Sequence, residues 1–347
     1  MKTYQLILAT ALVALAACTK EEVVTNGTNL DNEIGFNAVT RVATKANDAI
    51  ITNSTYPLDD SFGMWGFNSP AGDWSEFSST SASNFMTGLK IEQTTGRDSG
   101  RGVAWRNASN YYYWPFTGAI AFIACHPYEV VPAVNYGGAT IGDYTISSTN
   151  KTTDLMFASA TGSRELNATT PVSLSFHHAL SQIYFTIKTN ADYTLDNVQF
   201  KVKKITIKNI DLSGDVTYNK STISWEDNTT QTQDWEYYAN AVEATAAGVA
   251  YGTAQVMIPQ PANTLNPDAT PTPDTVQTIL SIDYYMKQNN TETEGNIEIA
   301  APQAWAVNGK YNYILNFKLN EILFSPTVSD WAELTVIAKD VDPSAIL

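Results

Sequence analysis

Seven stretches of this chain alternate apolar and polar residues with a period of two: SLSFHHAL, QIYFTIK, NVQFKVKKITIKNI, AQVMIP, QTILSIDYYMK, NIEIAA and YNYILNFKL. Successive side chains of an extended strand point to opposite faces, so this period fits half-buried strands. A helix would repeat its apolar face every 3.6 residues, and no long run of that kind follows the first residues. β-Branched and aromatic residues fill the runs, and Asn, Gly or Asp separate them, as between antiparallel strands. The pattern predicts an all-β fold made of one or more β-sandwiches.

The N-terminus is built differently. Lys2 precedes an almost wholly apolar run, Leu6 to Ala17, which ends at Cys18. That run is shorter than the roughly 20 residues a membrane-spanning helix needs. It fits a secretory signal over residues 1–17, with small residues at the cleavage point. Leu15-Ala16-Ala17-Cys18 resembles a bacterial lipobox, whose cysteine is acylated and becomes the new N-terminus; the alternative is an ordinary signal peptide beside a coincidental cysteine. Acyl chains contribute about 0.8 kcal/mol per buried CH2, so several of them hold a protein durably on a membrane. Thr19-Lys20-Glu21-Glu22 looks like the lysine-plus-acidic signals that send some lipoproteins to the outer face of the cell.

Acylation of Cys18 would leave Cys125 as the second of two cysteines, so no internal disulfide is expected. Within AIAFIACHPYE it reads as a small buried apolar residue. The net charge is −15, and loss of residues 1–17 removes one base, Lys2. An acidic surface repels nucleic acid and anionic lipid, which argues against both as partners. With 44% hydrophobic and 16% charged residues the chain is a folded one, long enough for two domains. The polar stretch Thr161–Pro171 precedes a strong strand and marks the expected junction. It divides an N-terminal β domain, 31–168, rich in Trp, Gly and Ser, from a C-terminal β domain, 171–347, of cleaner alternation. Pro259–Thr275 is Pro-rich and polar, an exposed loop of the second domain.

Catalytic signatures are few. His126, His177 and His178 are the three histidines, and adjacent strand residues face opposite ways, so the latter two cannot chelate one metal. No Gly-x-Ser-x-Gly elbow, Walker loop or metalloprotease helix motif occurs. Acidic residues are scattered over turns and polar strand faces, which favours a solvated surface over a carboxylate pair. The expectation is a protein that is not an enzyme, with no cofactor and no metal. Trp65, Trp74, Trp105 and Trp114 crowd the first half with Tyr111-Tyr112-Tyr113. Three consecutive tyrosines cannot all face one core, which leaves an aromatic platform for glycans as an alternative binding function.

The order of motifs resembles a family. After the lipobox come EIGFNAVTR, YYYWPFTGAIAFIACHPY, TTDLMFAS, VSLSFHHALSQIYFTI, AWAVNGKYNYILNFKL and SPTVSDWAEL. This succession is similar to the fimbrillin family, the lipoprotein subunits of type V pili of Gram-negative anaerobes. The resemblance implies two tandem transthyretin-like (Ig-like Greek-key) β-sandwiches and a lipidated linker, 18–30. It also implies a structural pilus subunit for cell adhesion, carried as an outer-membrane lipoprotein precursor and later resident in the surface fimbrium. In that family a trypsin-like protease removes a first strand, here about 31–41, and another subunit's strand replaces it. The motif-matched cleavage candidate is Arg41 in AVTRVA, with Lys45 in ATKAND as the competitor.

Ile34, Phe36 and Ala38 share one face of that removable strand. At the other end Leu334, Val336 and Ala338 alternate within DWAELTVIAKDVD, so the tail, about 331–347, is either the donor strand or a resident edge strand of its own domain. The implied partners are other fimbrial subunits, the processing protease, the outer membrane through the lipid anchor, and a host protein or glycan. A tip or anchor subunit and a glycan-binding surface lipoprotein are the alternatives.

Overall fold

The computed structural model describes residues 32–40, 56–57, 59–69, 83–95, 103–189, 198–227, 233–260, 278–288, 290–301, 304–318, 322–330 and 333–336. Cys18, Arg41, Lys45, Trp74 and Ala338 lie outside the described residues. Beyond Lys318 only the backbone of the described strands is considered.

The chain is all-β. β1 (Phe36–Thr40), β2 (Ser61–Ser69), β3 (Ser83–Thr95) and β4 (Val103–Arg106) come first. β5 (Ala119–His126), β6 (Ala133–Asn135), β7 (Gly138–Thr145) and β8 (Met156–Ser163) follow, then one helical turn, α1 (Arg164–Asn167). The next strands are β9 (Val172–His178), β10 (Ser181–Thr189), β11 (Val198–Ile210), β12 (Ser213–Asn219) and β13 (Thr222–Asp227). β14 (Gln233–Tyr238), β15 (Val242–Glu243), β16 (Val249–Met257) and β17 (Ile279–Gln288) continue the chain. β18 (Thr291–Ala300), β19 (Gly309–Phe317), β20 (Ile322–Asp330) and β21 (Glu333–Val336) complete it.

Strand pairing closes β1-β4-β3-β2-β5-β8-β9 into a barrel. Its interior holds Phe36, Phe62, Met64, Trp105, Ile120, Phe122, Leu174 and Phe176, all buried. β5 departs from simple alternation, because every residue from Ala119 to His126 is buried. Ile120, Phe122 and Ala124 face the barrel interior, whereas Ala121, Ile123 and Cys125 belong to a second core outside it. A strand covered on both faces reads as a continuous apolar run, and AIAFIAC is one. Part of the cover comes from the sheet β13-β12-β7-β6: Tyr218 on β12 stacks on Phe157 of β8 with ring centroids 5.2 Å apart. Cys125 is fully buried there, which raises the pKa of its thiol.

The remaining two sheets, β16-β10-β19-β20-β21 and β14-β11-β17-β18, pack face to face as a sandwich. Phe185 of β10 meets Tyr237 of β14 edge-on at 4.7 Å, and Phe317 of β19 meets Phe200 of β11 at 5.4 Å. Alternation shows in this half: β10 buries every second residue from Ile183 on and β19 does so up to Leu315, as half-covered strands do, while Gln182 and Asn316 at the strand ends are buried out of turn. The outermost strand β18 carries Glu292, Glu294 and Glu298, charges that discourage unwanted pairing at a sheet edge.

Backbone pairing crosses the stretch 161–171, where composition places a domain junction. β9 lies after it yet closes the barrel by pairing with β1 and β8, and β12 pairs with β7 across it. The polar character of this stretch has a local cause. Ser163 caps α1 by accepting a hydrogen bond from the Leu166 N–H, and Thr170 Oγ1 donates to the Leu166 carbonyl.

Candidate functional site

β1 lies within the barrel with a neighbour on each side. On one side a parallel ladder runs from Phe36 opposite Val172 to Thr40 opposite Phe176. On the other, among the described residues, the antiparallel pairing with β4 sets Phe36 opposite Trp105 alone. The preceding residues are tied down as well. The Ile34 N–H donates to the Tyr112 carbonyl at 2.7 Å, and the Trp114 N–H to the Asn32 carbonyl at 3.0 Å. The Asn32 N–H reaches the Ala168 carbonyl at 2.8 Å. An extended segment satisfies its backbone only through neighbours, so removing this one opens a row of donors and acceptors on β9 and at 112–114.

Ile34, Phe36 and Ala38 are 2%, 1% and 3% exposed. Phe36 meets Phe122 edge-on at 5.0 Å, and Trp114 packs against the same ring at 5.9 Å. Burying an Ile or Phe side chain stabilises by about 1.5–3 kcal/mol. Two such residues therefore make up a large share of the ~5–15 kcal/mol stability of a typical domain.

Period two alone would turn Glu33 to the outside with Asn37. Instead Glu33 is 1% exposed, and its Oε2 accepts a hydrogen bond from Nη1 of Arg106 at 2.9 Å. Arg106 ends β4 and is also 1% exposed; its Nε and Nη2 have no hydrogen-bond partner among the described residues. Removing one partner of a buried ion pair costs about 3–5 kcal/mol, because the other charge stays desolvated. Sequence reasoning missed this pair, and its one signal was an acid set directly before the apolar face of a strand.

The C-terminal segment lies elsewhere. β21 pairs with β20, with Leu334 opposite Ser329 and Val336 opposite Thr327, and forms the edge of its sheet. Leu334 and Val336 are thus not brought to the β1 slot within one molecule.

Two of the three histidines sit in buried polar pairs. His126 and His178 stand opposite Met156 from either side, facing the barrel interior. His178 Nδ1 bonds Asp154, and His126 Nδ1 bonds the Tyr56 hydroxyl. Burial pushes the His126 pKa below its ordinary value, against the opposing pull of Asp154 and Asp60. His177 is half-buried on the other face of β9. Among the described residues no group of three or more His, Cys, Asp or Glu side chains could hold a metal ion. A cleft of about 400 Å³ is lined by Asp211, Trp225, Glu226 and Gln260. The Gln260 amide is committed there to both backbone groups of Asp211.

Of the aromatics, Trp105 and Trp114 are buried in the barrel interior and Trp65 in the core outside it. Tyr112 packs on the barrel core, while Tyr111 and Tyr113 are 39% and 47% exposed and stack on each other at 6.2 Å.

Fold and site together define an all-β protein whose opening strand is an integral, buried member of its first barrel. The chain belongs to the fimbrillin-like family, whose model matches residues 23–331. It is 23% identical over 372 residues to fimbrium subunit Fim1C of Phocaeicola vulgatus, covering 93% of this chain and 94% of that protein. A fimbrial protein from Bacteroides vulgatus ATCC 8482 has a similar solved structure, with a TM-score of 0.59 at 16% identity, covering 86% of this chain and 99% of that one. A structure from Bacteroides uniformis ATCC 8492 superposes with a TM-score of 0.50 at 16% identity, covering 87% and 99%. At such identity the likeness speaks for the fold alone.

Proposed function

We propose that this chain is a structural subunit of a type V pilus, a fimbrium that serves cell adhesion. It is exported as a lipoprotein precursor acylated at Cys18, and a trypsin-like protease cuts it after Arg41, with Lys45 as the alternative. The freed first strand leaves, and a strand from another subunit takes its place by β-augmentation. Membership of the fimbrillin-like family supports the assembly role. One observation carries the mechanism: Ile34, Phe36 and Ala38 are buried in a barrel that, without β1, would expose an apolar groove beside the edge of β9. The donor in this reading is the tail from about 331 onward, which leaves its own edge position to enter a neighbour. No catalytic group and no cofactor take part.

N-terminal sequencing of protein sheared from cells tests the processing. A mature chain beginning at Val42, or at Ala46, is expected, and one beginning at Cys18 in polymerised material refutes removal of the strand. Deleting Asp330–Leu347 should give a folded subunit that no longer polymerises. The exposed Tyr111–Tyr113 stack favours a second reading, a surface lipoprotein that binds glycans. That protein would stay monomeric after tryptic nicking and retain sugar, whereas a pilus subunit forms SDS-stable polymers.

A further inference from the structure

We propose that Arg106 is a carboxylate-reading subsite of the β1 slot, and that its ligand in the assembled fibre is Glu333 of a second copy of this chain. The inference rests on the strand-exchange reading above and adds the register in which the donor is held.

Loss of the first strand takes away Glu33, the carboxylate that accepts from Arg106. The guanidinium is 1% exposed, and two of its nitrogens have no hydrogen-bond partner even with Glu33 in place. A cation so buried demands an anion from whatever fills the slot, and a planar guanidinium suits a carboxylate best. The segment 33–40 therefore presents two features together: an acid ahead of the regular strand, where it escapes the alternation, then apolar residues one, three and five positions later. In the chain these are Glu33, Ile34, Phe36 and Ala38.

The tail repeats the arrangement. Glu333 is followed by Leu334, Val336 and Ala338 at the same three spacings. Side chains alternate along a strand, so a shift of one residue would turn the apolar set outward, and a shift of two would move the acid off Arg106. The superposition that satisfies both features sets Val336 in the place of Phe36 and Ile337 in the place of Asn37. Ile337 then lies opposite Ser173 of β9, as Asn37 does in the precursor. In one molecule the segment 333–336 pairs, among the described residues, with β20 alone, at a sheet edge from which it can be recruited.

The test uses the full-length chain with Cys18→Ser, processed by a trypsin-like protease, and follows polymerisation by light scattering and SDS-stable ladders. Glu333→Gln should slow extension about tenfold or more, the effect of losing one bond to a charged group. Arg106→Met should do the same, and the two changes together should be no worse than Arg106→Met alone, because they remove a shared interaction. Register is read separately by oxidation: Ser173→Cys with Ile337→Cys should link neighbouring subunits, and Ser173→Cys with Thr335→Cys should not. Ser173 is exposed, so this readout stands even where Arg106→Met fails to fold. Wild-type rates for Glu333→Gln, additive slowing, or cross-links through Thr335 overturn the assignment while leaving strand exchange intact. Undiminished polymerisation of a chain without Asp330–Leu347 refutes the donor reading itself, and this assignment with it.

Discussion

Phe36→Ala is the most informative single change, because it removes the largest side chain of the first strand without altering backbone pairing. Phe36 is 1% exposed and lies edge-on to Phe122 at 5.0 Å. Truncating a buried Phe to Ala costs about 3–5 kcal/mol, from lost transfer energy and the cavity left behind. Phe122 also contacts Trp114, and Trp105 stands directly opposite Phe36, so tryptophan fluorescence reports on this barrel. In urea, with a slope of about 1–3 kcal/mol/M, the unfolding midpoint should fall by roughly 1 M or more. In a chain nicked after Arg41, the proposed cleavage point, the strand would be held without a covalent link, and the same loss should speed its release. At 1.4 kcal/mol per factor of ten, the gain is about a hundredfold to a few thousandfold. Displacement by excess tail peptide, followed by mass spectrometry, measures that gain. Val39→Ala is the control, because Val39 is only half-buried and should shift stability by less than about 1 kcal/mol. A Phe36→Ala effect no larger than the control's would refute the reasoning, since it would mean that the slot does not depend on the strand's apolar face.

Other expectations follow from the same packing. Gly138→Ala should weaken the pairing of β7 with β12, because an added Cβ would sit 2.0 Å from the Tyr218 carbonyl oxygen; a thermal or urea destabilisation of about 1–3 kcal/mol is expected. His126 titrates below its ordinary value when folded, so the unfolded chain binds the extra proton first as pH falls. Stability should then decline from about pH 6.5 downward, where the unfolded histidine titrates, and His126→Gln should flatten that slope in urea melts taken at successive pH values. Cys125 is fully buried with its thiol pKa raised by desolvation, so a thiol reagent should modify it only as the chain unfolds, as peptide mapping would reveal.

Much of this protein could be read from one-dimensional pattern. Period two in SLSFHHAL or YNYILNFKL predicts strands, because alternation is a property of the extended backbone and needs no knowledge of the partner. The apolar face Ile34-Phe36-Ala38 follows from the same rule, and all three are buried. What pattern could not supply is which strands meet. β9 joins β1 in a parallel ladder, and β12 joins β7, across a stretch whose composition looks like a boundary. Local composition reports a turn; it does not report whether hydrogen bonds pass over it. Glu33 makes the same point at the scale of one side chain. Alternation assigns it to solvent, yet Arg106, 73 residues later, folds over and pairs with it in the dark of the core. The sequence alone determined that stretches such as SLSFHHAL and YNYILNFKL are extended and which of their faces seek burial, because those follow from neighbours along the chain. Tertiary structure alone decided where the buried charge sits and what covers each face, because those depend on contacts between residues far apart in sequence.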